Sequence, residues 1–161
     1  MEVLRYAAFS DVPNGGNPAG VVLDAGGATE AEMQAVAKEV GFSETVFVVD
    51  RNGERLRVRY FSPMAEVPFC GHATIALAVA DAEQSGPRLL DLATLAGAVT
   101  VTSRADGRTT TASLTSVVPQ TADLSLVDQS ELLDALGWAT TELDPSLPPK
   151  VGYAGAWHPI I

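Results

Sequence analysis

Only one cysteine, Cys70, occurs in the 161-residue sequence. No disulfide can form within the chain, which suits a reducing compartment, and no mechanism needing two thiols can be assembled from it. Basic residues are scarce as well: 10 Lys and Arg stand against 20 Asp and Glu, a formal net charge of −10. That balance repels a phosphate backbone and leaves no Lys/Arg cluster for an anionic membrane surface, so neither nucleic acid nor a membrane is an expected partner. No apolar run is long enough to span a bilayer. Glu2 and Arg5 interrupt the stretch Met1–Tyr6 where a secretory signal would need apolar residues. The expectation is a cytoplasmic protein.

Histidine is equally sparse. His72 and His158 lie far apart, and no Cys/His/Asp cluster shows ligand spacing, so no metal centre is expected. A G-x-S-x-G elbow is missing, and the pairs Gly15-Gly16 and Gly26-Gly27 match neither the dinucleotide nor the P-loop fingerprint. What is present is a chain that is 47% hydrophobic, hence globular, and long enough for one domain and part of another.

Local signals predict an α+β order. Val3–Phe9 and Ala19–Leu23 read as strands around the turn-rich loop Asp11–Pro18. Thr29-Glu30-Ala31-Glu32 is a capping box that opens a helix closed by Gly41. Glu44–Val49 and Arg55–Phe61 are two strands, the second alternating so strictly that its arginines are exposed or paired with acids. After a loop over 62–69, residues 71–80 are apolar almost all round, the mark of a buried central helix. A hairpin over 98–114 turns at Asp106-Gly107, a helix opens at the capping box Asp128–Glu131 and ends at Gly137, and 143–149 is linker-like. Val151–Ile161 reads as a single strand.

Two segments could carry chemistry. Glu44 sits in Phe42-Ser43-Glu44-Thr45-Val46-Phe47, and an ionised carboxylate in such a run either points to water from a strand edge or has surroundings that change its acidity. Phe42, Val46, Phe47, Phe61 and Phe69 are the candidates to line such surroundings. The second segment, Glu66–Thr74, runs a loop into the start of the buried helix, where free backbone N–H groups and the helix dipole attract an anion. On its own, His72 there reads as a satisfied core or capping histidine.

Together, four motifs resemble the phenazine-biosynthesis F-like family: Phe9-x-Asp11-Val12-Pro13 with Gly16-Asn17-Pro18-Ala19, then Ser43-Glu44-Thr45-x-Phe47, then Phe61-Ser62-Pro63, then Cys70-Gly71-His72-Ala73-Thr74. They occur in the family's order and spacing. The resemblance implies a diaminopimelate-epimerase-like lobe, a mixed sheet or open barrel wrapped round a central helix, facing a second similar lobe across the active-site cleft. It implies a cofactor-independent isomerase that moves a proton on a small carboxylate-bearing substrate, as the best-known member does on a dihydro-aromatic acid. It places the catalytic role on Glu44 and substrate binding on Gly71, His72, Ala73 and Thr74. Cys70 falls where diaminopimelate epimerases carry one of two acid/base cysteines. With no second thiol, it reads as a small packing residue beside the site.

The resemblance further implies a first lobe over 1–117, a connecting segment with a short helix over 118–149, and the first strand of an incomplete second lobe over 150–161. Relatives continue for most of another lobe, so a homodimer or a separately encoded second lobe is the expected partner. The rival readings are a non-catalytic half-fold acting as a ligand-binding or interaction module, and a plain α+β domain whose Glu44 faces solvent.

Overall fold

The apolar and alternating segments form strands β1 (Leu4–Ala8) and β2 (Asn17–Val22), helix α1 (Glu30–Val40), and strands β3 (Glu44–Asn52) and β4 (Arg55–Phe61) in a computed structural model that describes residues 1–12, 15–107 and 109–161. Pro13 and Asn14 of the first loop and Arg108 of the expected hairpin lie outside the described residues. At Gly16, where φ is +66°, a Cβ would collide with the Ala8 carbonyl, so the glycine of the Gly16-Asn17-Pro18-Ala19 motif is required by its backbone. Helix α1 starts as its capping box predicts: the Glu32 N–H donates to Thr29 Oγ1 at 3.3 Å, and the Thr29 N–H donates to the Glu32 carboxylate at 2.8 Å. Gly41 ends it in the left-handed region at φ +71°.

Strand β5 (Glu66–Val67), helix α2 (Gly71–Ser85), and strands β6 (Leu89–Thr94), β7 (Gly97–Asp106) and β8 (Thr109–Thr115) complete the first compact unit, Met1–Val117. Strand β6 is absent from the sequence reading. Its signal is the alternation in which Leu90 and Leu92 are buried while Leu89 and Asp91 are exposed. The sheet runs β1-β2-β3-β4-β6-β7-β8 with β5 on β4; β2–β3 and β4–β6 are parallel and the other pairs antiparallel.

Helix α2 touches β1, β2, β3, β7 and β8, so both ends of the sheet return to the same helix. Its inward residues are mostly small (Ala73, Ala76, Ala78 and Ala80, with Leu77), which lets the strands approach closely at little cost in helix propensity. Among the described residues β1 and β8 do not pair with each other, and the barrel stays open there. The other sheet face packs on α1 through Met33, Ala37, Phe47 and Phe61, the two rings meeting edge to face at 5.6 Å. Asp81, buried on α2, is clamped by Arg51 at 2.8 Å and Arg88 at 2.7 Å.

The second unit, Val118–Ile161, differs from the expected connecting segment and single strand. It holds β9 (Gln120–Asp123), α3 (Leu126–Leu136), a 3-10 turn at Thr140–Glu142, β10 (Lys150–Tyr153) and β11 (Trp157–Ile160), the strands forming an antiparallel sheet in the order β11-β10-β9. Helix α3 begins before the predicted capping box, because Ser125 accepts from the Asp128 N–H at 3.1 Å and supplies an earlier cap. Among the described residues no helix is long and apolar enough to cross a membrane.

Candidate active site

Glu44 opens β3, paired in register with Ala19 of the parallel neighbour β2. Strand alternation sends Val46 and Val48 into the core shared with α2, while Phe47 enters the core under α1. Glu44 therefore starts on the α2 side, half-buried, with its side chain 21% exposed. The same alternation corrects the expected lining. Phe47 and Phe61 pack under α1, whereas Phe69 packs edge to face on Tyr60 beside the α2 core.

Helix α2 delivers the other groups. Cys70 is its N-cap, in extended conformation, and Gly71 and His72 form the first turn. His72 Nε2 lies 3.4 Å from Glu44 Oε2 and 3.3 Å from Ser43 Oγ, and Cys70 Sγ lies 3.1 Å from His72 Nδ1 and 3.5 Å from Glu44 Oε2. One carboxylate, one imidazole, one thiol and one hydroxyl thus meet where a strand begins and a helix begins. The Glu44–His72 and Ser43–His72 separations exceed those of tight hydrogen bonds, about 2.9 Å, as is common in catalytic groups before a substrate draws them together.

Burial decides the charge on two of these groups. It pushes the Cys70 thiol up to about 12, outweighing the nearby Ala73 amide, which pulls the other way, so the sulfur keeps its proton at neutral pH. It also lowers the His72 pKa from its usual 6.5, against the opposing pull of the Glu44 carboxylate and the Pro18 carbonyl. His72 is consequently neutral at pH 7, and its 3.4 Å approach to Glu44 is a close contact rather than an ion pair.

The binding residues expected at the helix start divide. Gly71 is half-buried, and its N–H belongs to the first turn, which has no intrahelical acceptor. His72 is 9% exposed. Ala73 and Thr74, by contrast, have no exposed surface. Thr74 is also fully committed: its N–H and hydroxyl both donate to the Cys70 carbonyl, at 3.1 and 2.8 Å, and Tyr60 OH lies 2.7 Å from its oxygen. Thr74 holds the turn together rather than facing a ligand. Sequence reasoning gave Ser43 no role and treated Cys70 as packing. The overlooked signal was the Cys-x-His spacing across a helix N-cap. Sequence spacing shows no ligand cluster, yet the fold brings donor atoms of Glu44, Cys70 and His72 within 4.8 Å of one another.

A mixed sheet curled round a buried helix is the fold of an epimerase-like lobe. The chain belongs to the phenazine biosynthesis-like protein family, whose pattern matches residues 6–161. It is 39% identical over 165 residues to an uncharacterised isomerase of Bacillus subtilis, covering 99% of this chain and 55% of that protein. It is 34% identical over 153 residues to the trans-2,3-dihydro-3-hydroxyanthranilate isomerase of Pseudomonas fluorescens, covering 94% of this chain and 53% of that one. Among solved structures, a PhzF-family phenazine biosynthesis protein of Bacillus anthracis superposes with a TM-score of 0.76 at 37% identity, over 98% of this chain and 54% of that one. The chain spans about half the length of these relatives.

Proposed function

We propose that this chain supplies the proton-transfer side of a cofactor-independent isomerase acting on a small unsaturated carboxylic acid. Glu44 takes a proton from one substrate carbon; the freed electron pair moves into the adjoining double bond; and the resulting carboxylic acid returns the proton at another carbon. No electrons are gained or lost, and Glu44 ends the cycle as it began. Neutral His72 orients the Glu44 carboxylate through Nε2, and the Gly71 amide at the start of α2 receives the substrate carboxylate. The observation that carries this reading is the 3.4 Å approach of Glu44 to His72 at the N-terminus of a buried helix. The substrate class rests on the named activity of the Pseudomonas fluorescens relative.

A substrate must also be held from its other face, so a second copy of the chain or a second lobe is proposed to complete the site. The reading is tested by NMR in deuterium oxide with trans-2,3-dihydro-3-hydroxyanthranilate, on the chain alone and on a version continued with a relative's remaining half. Product should form, carrying deuterium to the extent that the Glu44 carboxylic acid exchanges with solvent before it returns the proton, and Glu44→Gln should lower the rate by about 100-fold or more, the usual scale for losing a general acid/base. A Glu44→Gln protein of undiminished rate would remove Glu44 from the mechanism. Full turnover by a monodisperse monomer of the 161-residue chain would remove the need for a second half.

A further inference from the structure

We propose that Glu44, Cys70 and His72 form a binding site for a thiophilic divalent cation of the zinc type. The donor set is mixed S, N and O, drawn from two elements that the fold already holds together: the start of β3 and the first turn of α2. Cys70 Sγ to Glu44 Oε2 is 3.5 Å, His72 Nε2 to Glu44 Oε2 is 3.4 Å, and Sγ to Nε2 is 4.0 Å. Around a tetrahedral ion with ordinary Zn–S, Zn–N and Zn–O bonds, the corresponding edges are about 3.4–3.6 Å. Two edges already agree, and the third is long by a few tenths of an ångström.

One adjustment is required. The sulfur lies nearer Nδ1, at 3.1 Å, than Nε2, at 4.0 Å, so it stands beside the imidazole rather than ahead of Nε2. The ring must turn about its Cβ–Cγ bond to aim a nitrogen at the shared centre, and the two Nε2 edges change as it turns. As the metal–sulfur bond forms, the S–H bond breaks and its proton leaves to water; no redox step is involved. Three protein ligands leave a fourth position for water. Softness selects the ion: a thiolate and an imidazole suit zinc or cobalt, whereas magnesium and calcium prefer all-oxygen sites.

Binding needs only these three donors. Its consequence for turnover rests on the proton-transfer reading above: an ion on Glu44 Oε2 occupies the oxygen that would otherwise take the proton, so the cation would act as an inhibitor.

The experiment reads the metal and not the turnover. Co²⁺ is titrated into the chain under a phosphine reductant, with absorption followed in the near ultraviolet, where thiolate-to-cobalt charge transfer appears. The expected result is one ion per chain with that band. Cys70→Ser should abolish the band, and Glu44→Gln and His72→Asn should each weaken binding by about tenfold or more, since losing a ligand costs at least as much as losing a ligand's hydrogen-bonding support. Circular dichroism establishes that each variant is folded; should Cys70→Ser fail to fold, the other two decide. The absence of the band in the parent chain overturns the proposal. So does a band whose affinity is unchanged in both Glu44→Gln and His72→Asn, which would mark a lone thiol adduct. Binding without the band, at the many surface carboxylates, overturns it as well.

Discussion

A single proton on His72 links the site to the stability of the lobe. Burial lowers its folded pKa below the value of about 6.5 that it regains on unfolding. Between those two values the unfolded chain binds a proton that the folded chain refuses, so stability falls as pH drops through about 6.5 and is unaffected by this group above it. Urea midpoints at about pH 5.5 and about pH 7.5 should therefore differ, and His72→Asn should shrink the difference; an unchanged difference would assign the slope to other groups. Thr45, next to Glu44 but facing the opposite side of the sheet, offers a second test. Its hydroxyl is wholly buried and has no hydrogen-bond partner among the described residues. Thr45→Val keeps the shape and removes the unpaired polar atom, so thermal or chemical denaturation should show a gain of about 1 kcal/mol. At this scale Glu44 and His72 were legible because their motifs name them. The enclosure of Ala73 and Thr74 was not, because whether an amide faces outward depends on what packs over it, which the order of residues does not state.

Helix α2 shows the same division between what a segment declares and what its neighbours decide. Its all-round apolarity announces burial, and Cys70-Gly71 marks its start. Asp81 is a buried acid on that helix, and only the fold reveals why it is tolerated: Arg51 arrives from β3 and Arg88 from the approach to β6. Asp81→Asn would remove one charge from a three-charge clamp. Both arginine side chains remain 25–34% exposed and can turn to water, so the expected loss is about 1–3 kcal/mol rather than the larger cost of stranding a buried ion. Guanidinium unfolding of the variant checks this, and a loss under about 0.5 kcal/mol would mean that the clamp contributes little beyond packing. Short strands were the least legible elements. β9 is exposed along its whole length and has no alternation to read, and β10 with β11 was merged into one strand because their turn, Ala154-Gly155-Ala156, lacks the usual Asn-Gly or Asp-Gly signal.

At the scale of the whole first unit, the open barrel follows from a sheet whose two ends meet one helix, an arrangement that periodicity alone could not order but that the resemblance anticipated. The parallel pairs in that sheet carry a kinetic consequence. Neighbours β7 and β8 are consecutive antiparallel strands and can zip as a hairpin within microseconds. Strand β4 can meet β6, with Leu56 opposite Leu92, only after the chain between them has closed a long loop and α2 has been laid across the sheet. Refolding should accordingly be rate-limited by that crossover, on the order of milliseconds to seconds. Pulse-labelled hydrogen exchange should find the amides of β7 and β8 protected before those of β4 and β6. The reverse order would mean that the helix crossover is the nucleus and the hairpin merely joins it.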